Sequence, residues 1–250
     1  MKKLLILLLL LGPGTALAFD PDHLKKTIRE RNCIECDLTG ADLAGLDLSR
    51  GDFTGADFTF AYMVHTNFFG TNLKGARFGY NFFEANPANQ GTRVGRVEKV
   101  MRSNLGDNPA LAAEMLSALW DTSYTKTVAQ KGTQIRGANF EGANLEGCNF
   151  VAVNLRGAKF NQAFLRNADF SYSLIPSAHF QGAYLKEAVF YKADLSSTDF
   201  SGADMSGAML YMADFQVERA LLDFKKTKLG GVIWKKGEVC LEGSLGKCDF

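Results

Sequence analysis

Residues 33–48 read CIECDLTGADLAGLDL and carry leucine at every fifth position, at Leu38, Leu43 and Leu48. A spacing of five matches neither the 3.6-residue turn of an α-helix nor the two-residue alternation of a β-strand. The pattern therefore indicates a regular structure that is neither a single helix nor a single strand.

The five-residue spacing continues in two long runs. The first run extends to Phe83, and the second keeps one phase from Ile135 to Phe215. The residue two places before each apolar centre is small at nearly every repeat, and Leu46 and Asn81 are the exceptions in the first run. Each repeat therefore needs one large apolar side chain and one small one, which predicts a narrow and densely packed interior.

The segments GADLAG, GANFEGANLEG and KADLSSTDFSGADMSG resemble the pentapeptide-repeat family, whose pattern is A(D/N)LxX. The resemblance covers residues 36–83 and 133–215. It implies an all-β solenoid, a right-handed quadrilateral β-helix with one pentapeptide on each side and four in each coil. In that fold the apolar centre and the small residue two places before it both point inward.

A coil of twenty residues should place like residues above one another. The second run has this property on one side, where phenylalanine recurs at Phe140, Phe160, Phe180 and Phe200. The pattern also fits a ten-residue period, so it supports four sides without proving them. The ten centres of the first run and the seventeen of the second would fill about seven coils, a rod about 30 Å long at about 4.8 Å per coil.

The first residues, MKKLLILLLLLGPGTALAFD, have the features of a secretory signal peptide. Their apolar run, Leu4–Leu11, is too short to cross a bilayer, and Ala16 and Ala18 supply the small residues of a cleavage site. We predict cleavage after Ala18 and exclude residues 1–18 from the fold. The mature chain should be exported, to the periplasm or the extracellular space, with no transmembrane segment; a retained anchor is the alternative.

A short helical cap is expected over the first coil, because the end of a solenoid needs cover. Residues 19–35 contain an amphipathic segment with Leu24 and Ile28 on one face. Asp20 or Asp22 is placed to act as its N-cap.

Residues 84–132 interrupt the repeats. The step from Phe83 to Ile135 is 52 residues, which is not a multiple of five, so the register changes there. We predict a helical insertion, in which DNPALAAEMLSALWDT forms a helix with Pro109 in its first turn. Its apolar face would consist of Leu111, Met115 and Leu119.

Residues 216–250 are predicted to form a C-terminal helix and a disulfide-closed tail. The helix would carry Val217, Leu221 and Phe224 on one face. The tail, WKKGEVCLEGSLGKC, is similar to a two-cysteine element at the ends of other exported bacterial proteins.

Export permits disulfide bonds, and four of the five cysteines allow three pairings. Cys33 and Cys36 lie at one end of a rod about 30 Å long and Cys240 and Cys248 at the other, while a disulfide needs Cα atoms within about 7 Å. A Cys240–Cys248 bond is therefore expected, and Cys33 and Cys36 either pair with each other or stay free. The same distance argues against a four-cysteine zinc site; a redox role for the C-x-x-C pair is an alternative. Cys148 occupies a small inward position, typical of a buried residue.

The sequence contains no recognisable catalytic motif. His23, His65 and His179 are far apart and lack the HxxxH and HExxH spacings. No serine motif has a partner histidine in an expected order, and no glycine pattern is placed to hold phosphate. The outward aspartates from Asp37 to Asp57 could bind calcium, but solvated acids that keep a β surface soluble are the simpler interpretation. We predict no enzyme activity, no cofactor and no metal.

Charge argues against a nucleic-acid partner. Removing residues 1–18 takes away Lys2 and Lys3 and no acid, which leaves 26 basic and 27 acidic residues. The signal and the near-zero charge both argue against the DNA-mimicking, topoisomerase-binding branch of the family. Because a fold does not define a function, we predict a non-catalytic exported scaffold or protein-interaction module with an unknown partner. The alternative is an envelope glycan-active or glycan-binding β-helix protein, and end-to-end dimerisation is a further hypothesis.

Apolar residues at outward positions form a candidate interaction patch. Its members are Phe164, Tyr172, Tyr184, Val189, Tyr191, Met209, Tyr211 and Met212. Tyrosine and methionine are typical of protein interfaces. The alternative is that the insertion or the C-terminal helix covers this stripe, since both have an apolar face to bury.

Overall fold

The computed structural model describes residues 20–79, 133–215, 224–234 and 236–250. The predicted signal peptide and the predicted helices of the insertion lie outside these residues. The repeats form a solenoid in which single residues pair through isolated parallel β-bridges, as Asp37 does with Asp57. Within the described ranges no helix combines the length and the apolar character needed to cross a membrane.

Bridged residues are twenty apart within each run and follow one another every five residues, so each coil has four walls. We name the walls by these ladder residues. Wall 1 consists of Asn32, Asp52, Asn72, Asn144, Phe164, Tyr184, Asp204 and Lys228. Wall 2 consists of Asp37, Asp57, Arg77, Asn149, Asp169, Val189, Met209 and Ile233. Wall 3 consists of Asp42, Tyr62, Gln134, Asn154, Leu174, Asp194 and Asp214. Wall 4 consists of Asp47, Asn67, Asn139, Lys159, His179 and Asp199. The hand of the winding stays a prediction.

The residue after each ladder residue points inward and fills the lumen. On walls 2 and 4 these residues are mostly phenylalanines, which form two columns of stacked rings. Phe170 stacks on Phe150 at 4.8 Å and on Phe190 at 5.0 Å, while Phe160 of the opposite column meets it edge-on at 5.9 Å. Stacked and edge-to-face contacts are both favourable for aromatic rings. The interior is therefore a solid aromatic core.

Polar residues that replace alanine in the lumen donate to carbonyl groups of the preceding coil. The Thr198 hydroxyl donates to the carbonyl of Ile175 at 2.7 Å, and the Cys148 thiol donates to the carbonyl of Leu73 at 2.9 Å. Cys148 is free and fully buried, and burial raises the pKa of its thiol. A buried thiol with a raised pKa is unreactive, so Cys148 serves as a packing residue, as its position in the repeat predicts.

The insertion leaves the order of the walls intact. The chain leaves wall 2 after Phe78 and returns on wall 3, where Gln134 pairs with Tyr62 at a spacing of 72 residues in place of 20. Ile135 therefore takes the inward position that follows Phe78. The repeat pattern predicts Phe83 as the last centre of the first run, and Phe83 lies outside the described residues.

Helix α1, Pro21–Glu30, precedes the first coil. Asp20 is its N-cap, and the Asp20 side chain accepts two backbone N–H groups of the first turn. Leu24 packs against the core and Thr27 is buried, whereas Ile28 is 44% exposed. The apolar face therefore differs from the predicted pair of Leu24 and Ile28, since Leu24 packs against the core and Ile28 is exposed.

The repeats begin one step earlier than the sequence pattern indicates. Asn32 is already a ladder residue, paired with Asp52, and Cys33 points inward after it. Cys33 and Cys36 form a disulfide with a Cα–Cα distance of 5.4 Å, and both residues are buried. This bond fills the first layer of the lumen, where other coils carry leucine or phenylalanine.

The repeats also continue beyond Phe215. Lys228 bridges to Asp204 on wall 1, and Phe224 stacks on Phe200 at 5.6 Å. Residues 224–234 therefore add wall positions, and the prediction of a helix with Phe224 on its face is wrong for this part. The other two residues of that predicted face lie outside the described residues.

The last residues fold back along the final coil. Val239 pairs antiparallel with Ile233, and the Cys240 N–H donates to the carbonyl of Val232 at 2.9 Å. Cys240 and Cys248 form a disulfide with a Cα–Cα distance of 5.0 Å. The segment covers the open edge of the solenoid, which would otherwise be a template for uncontrolled strand pairing.

We expect the Cys240→Ala/Cys248→Ser variant to lose about 2 kcal/mol of unfolding free energy, because the bond restricts a short loop of the unfolded chain. Denaturant unfolding of the oxidised proteins measures this loss. Cys148→Ala is the control, since Cys148 is free, and it should change stability much less. Equal stability of the double variant and the parent protein would show that the bond does not hold the tail.

Candidate interaction surfaces

Most ladder residues are aspartate or asparagine, and most of these side chains accept a backbone N–H group of their own turn. Asp57 accepts the N–H of Thr59 at 2.9 Å, and Asn144 accepts the N–H of Glu146 at 3.2 Å. Amides also link neighbouring coils, since Asn144 donates to the side chain of Asn72 at 3.2 Å. Short polar side chains that bond to a backbone N–H two residues on are typical turn stabilisers.

The aspartates from Asp37 to Asp57 do not form one column. Consecutive members lie on successive walls, so only Asp37 and Asp57 share a wall. Partial burial acts to raise the pKa of Asp52, but hydrogen bonds from Thr54 and Asn72 outweigh it and hold that pKa below its usual value. Over the described ranges, no group of histidine, cysteine, aspartate or glutamate side chains could hold a metal ion. These carboxylates therefore act as turn caps.

The structure does not bring the three histidines together. His23 lies on α1 and accepts the N–H of Asp37 at 3.1 Å, which ties the helix to the first coil. His65 follows wall 3 in the second coil, and His179 is a ladder residue of wall 4 several coils away.

The predicted patch divides into a buried and an exposed part. Its buried members are Tyr172, Val189 and Met209. The prediction that these three residues belong to an exposed surface is wrong, because all three side chains are buried. Val151, Ala152 and Tyr172 form a hydrophobic cluster outside the lumen, and Tyr191 packs on it. We name these four residues the wall-2 cluster.

Ring contacts extend the wall-2 cluster along the solenoid. Tyr191 meets Tyr172 edge-on at 5.4 Å and stacks on Tyr211 at 6.0 Å. Burial raises the pKa of the Tyr172 hydroxyl. At Gly79 a Cβ atom would lie 2.2 Å from the carbonyl oxygen of Val151, so the chain leaves the solenoid directly against this cluster. The cluster is therefore part of the packed protein.

We expect the Tyr191→Ser/Tyr211→Ser variant to lose about 2 kcal/mol of unfolding free energy, because it removes the Tyr191 ring from the wall-2 cluster and the Tyr211 ring that stacks on it. Thermal unfolding followed by circular dichroism measures the loss. Tyr62→Ser is the control, since Tyr62 is 43% exposed on wall 3 and should affect stability little. Unchanged stability of the double variant would show that the fold does not need these tyrosines, and they would again be candidate docking residues.

The exposed part of the patch lies on wall 1. Phe164 and Tyr184 are ladder residues in neighbouring coils and are 50% and 51% exposed. Their rings stack at 5.0 Å with an interplanar angle of 3°. Met212, at the corner after wall 2, is also exposed, and Tyr211 is half-buried. On wall 1 these two stacked rings are exposed to solvent and accessible to a partner.

A shallow groove runs beside the aromatic pair. Its lining consists of Glu146, Phe164, Arg166, Tyr184, Lys186 and Asp204. Arg166 and Lys186 follow the inward residues of wall 1 and were not among the predicted patch residues. Arg166 and Lys186 lie one and two coils above Glu146. Their spacing of twenty residues is the sequence signal that could have placed them on the same wall.

The acids of the groove are paired, and the bases are less so. Glu146 binds Lys74 at 3.1 Å, and Asp204 binds Lys228 at 3.3 Å. Partial burial acts to raise the pKa of Asp204, but hydrogen bonds from Ser206 and Lys228 outweigh it and keep that carboxyl ionised.

The basic side chains of the groove have weak partners or none. Arg166 reaches Glu187 only at 3.8 Å. Lys186 has no ion pair in the part of the chain that the structure describes. The groove therefore carries positive charge, on Arg166 and Lys186, that no close acidic partner in the described residues neutralises.

The chain belongs to the pentapeptide-repeat family. The family Pentapeptide repeats matches it in eight copies, over residues 33–78, 133–172 and 177–216, which together are just over half of the chain. The family that the repeat pattern predicts is thereby confirmed. No curated protein matches the chain.

Solved pentapeptide-repeat structures resemble the chain at low identity. Rfr23 from the cyanobacterium Cyanothece 51142 is 17% identical over 87% of this chain and 97% of that one, with a TM-score of 0.29. HetL from Nostoc sp. strain PCC 7120, involved in heterocyst differentiation regulation, is 18% identical over 87% and 96%, with a TM-score of 0.21. A thylakoid-lumen protein of Arabidopsis thaliana is 18% identical over 65% and 67%, with a TM-score of 0.25.

Proposed function

We propose that the protein is a non-catalytic scaffold that works outside the cytosol and binds a protein partner on wall 1, and that its solenoid is right-handed. The observation that carries the proposal is the exposed stacked pair of Phe164 and Tyr184. Exposed aromatic residues that the fold does not need are typical of protein-binding surfaces.

The solid lumen supports a role for the outer surface. Phenylalanine columns fill the interior, and the other inward positions hold buried aliphatic residues and small residues such as alanine, threonine and cysteine. A ligand site needs a concave space with polar groups that converge on it. Binding by the repeats must therefore use the walls or the ends of the solenoid.

Two features support export. The first eighteen residues have the pattern of a signal peptide. A disulfide closes each end of the solenoid, Cys33–Cys36 at one end and Cys240–Cys248 at the other, and such bonds persist in oxidising compartments.

The orientation of the rings favours a protein over a glycan. A sugar ring packs on the open face of an aromatic side chain. Phe164 and Tyr184 stack along the solenoid axis, so each covers a face of the other and both turn their edges to solvent. The stack therefore closes one face of each ring to a pyranose.

Site-specific photo-crosslinking in producing cells tests the proposal. A benzophenone-bearing residue replaces Tyr184 on wall 1, and in separate strains Tyr62 on wall 3 or Phe69 after wall 4, all of which are exposed. We expect a discrete adduct with an exported protein from position 184 and little from the other two.

The crosslinking outcomes separate the parts of the proposal. Protein adducts from position 62 or 69 alone would keep the scaffold role and remove wall 1 as its docking surface. The absence of a protein adduct at all three positions would contradict a protein partner on walls 1, 3 and 4. Full-length protein in the cytoplasmic fraction would contradict export.

A further inference from the structure

The turns beside the aromatic pair lack the cap that neighbouring turns have. At Asn144 and Asp204 the ladder side chain accepts the backbone N–H two residues on, at 3.2 Å in both cases. Phe164 has no side-chain acceptor, and the Tyr184 hydroxyl accepts no N–H group of the described residues. The N–H groups of Arg166 and Lys186 consequently donate to no acceptor within the described ranges.

The aromatic pair also interrupts the polar ladder of wall 1. Asn72 donates to Asp52 and Asn144 donates to Asn72, so amides tie the lower coils together. This series stops at Phe164. The two aromatic residues thus remove turn caps and links between coils, and half of their surface stays in water. The ring surface that stays in water is therefore open to a ligand.

The groove offers donors and positive potential. Its lining includes Arg166 and Lys186, the two residues whose backbone N–H groups are uncapped. Aromatic ring edges, which Phe164 and Tyr184 turn outward, carry the positive end of the ring quadrupole. The carboxylates of Glu146 and Asp204 are already bound by lysines. A complementary ligand therefore supplies acceptors with negative charge, together with apolar groups that cover the rings.

We infer that the occupant of this groove is an acidic segment of a partner protein, in which carboxylates alternate with apolar side chains. The carboxylates accept the N–H groups of Arg166 and Lys186 and pair with their charged side chains, while the apolar side chains pack on Phe164 and Tyr184. This inference rests on the proposed scaffold function, which it makes specific for wall 1. Hydrogen bonds to charged groups are among the stronger ones in proteins, so the contact discriminates by charge.

The test uses a short synthetic peptide in which Asp and Glu alternate with Leu and Phe, and a second peptide with Lys at every acidic position. Both are titrated into the full-length mature protein labelled with nitrogen-15. We expect the acidic peptide to shift the backbone amide signals of Arg166 and Lys186 to saturation. The basic peptide should bind at least about tenfold more weakly.

The Phe164→Asn/Tyr184→Asn variant separates binding from folding. Asparagine is the residue that wall 1 uses at Asn72 and Asn144, so the variant regains turn caps and should be at least as stable as the parent protein. We expect it to bind the acidic peptide at least about tenfold more weakly. Phe69→Thr, which alters an exposed phenylalanine near wall 4, is the matched control and should bind like the parent protein.

Each remaining outcome overturns the inference. Saturation without shifts at Arg166 and Lys186 would place the peptide elsewhere. Equal binding by the double asparagine variant would remove the aromatic pair from the site. Binding of an oligogalacturonate at these amides, without binding of the peptide, would make the occupant an acidic glycan. A wall-1 crosslink in cells together with a failed peptide titration would keep the scaffold function and reject only the acidic segment.

Discussion

Replacing Phe170 by alanine should lower the free energy of unfolding by about 3–5 kcal/mol. Phe170 has no exposed surface and lies in the middle of a column, between Phe150 and Phe190. Phe160 and Phe180 of the opposite column meet its ring edge-on, at 5.9 Å and 5.8 Å. The surrounding walls are fixed by bridges to both neighbouring coils, so they cannot close around the cavity.

Denaturant unfolding followed by circular dichroism measures this loss, with Phe69→Ala as the exposed control that should stay within about 0.5 kcal/mol of the parent protein. Native-state hydrogen exchange adds a local measurement. Because each coil contacts only its neighbours, protection should fall most near Phe170 and least near Leu43 in the first coils. A loss as small as that of the control would show that the lumen can repack.

The sequence predicts the interior of this fold well, because every repeat must supply the same two inward residues, one large and apolar and one small. Phe160 and Phe180 lie twenty residues apart, and the structure stacks their rings at 4.6 Å. The small residue beside each centre is set by the narrow lumen and recurs with the same period. A phenylalanine that recurs every twenty residues is therefore predicted to point into the lumen and to stack on the phenylalanine of the next coil.

The ends of the solenoid could not be predicted from the period. The step from Phe215 to Phe224 is nine residues in place of five, so a search for five-residue spacing ends at Phe215. The structure shows that Phe224, Leu229 and Trp234 continue the inward series. At the other end Cys33 takes an inward position that leucine or phenylalanine fills elsewhere, and the disulfide replaces their volume.

The exposed surface was predicted only in part, because exposure depends on neighbours from other coils. Tyr172 and Tyr184 are both outward tyrosines, but Tyr172 packs on Val151 and Tyr191, whereas Tyr184 meets one ring and then solvent. The repeat pattern places both tyrosines outside the lumen and does not predict which of them is exposed to solvent. Among the described residues, the contacts of Tyr172 with Val151, Ala152 and Tyr191 distinguish it from Tyr184.

Gly51→Ala should destabilise the protein by about 3 kcal/mol, the upper part of the range for forced overpacking. Gly51 stands at the small inward position two residues before Phe53, where most repeats carry alanine. A Cβ atom here would lie 2.0 Å from the carbonyl oxygen of Arg31 and 2.8 Å from the Phe53 ring. Arg31 ends helix α1, and its carbonyl accepts the N–H of Asp52 at 3.3 Å. The end of the helix thus occupies the space that the methyl group of alanine fills in other coils.

Backbone atoms cannot rotate away as a side chain can, so the added methyl group must displace α1 from the first coil. Denaturant unfolding gives the total loss, and hydrogen exchange at Leu24 should show lower protection of the helix. Gly45→Ala is the matched control, because Gly45 has a positive φ of 67° but open space around it, and backbone strain alone should cost about 1 kcal/mol. If Gly51→Ala were no more destabilising than Gly45→Ala, the contact between the end of α1 and wall 1 would not be what fixes the helix on the solenoid.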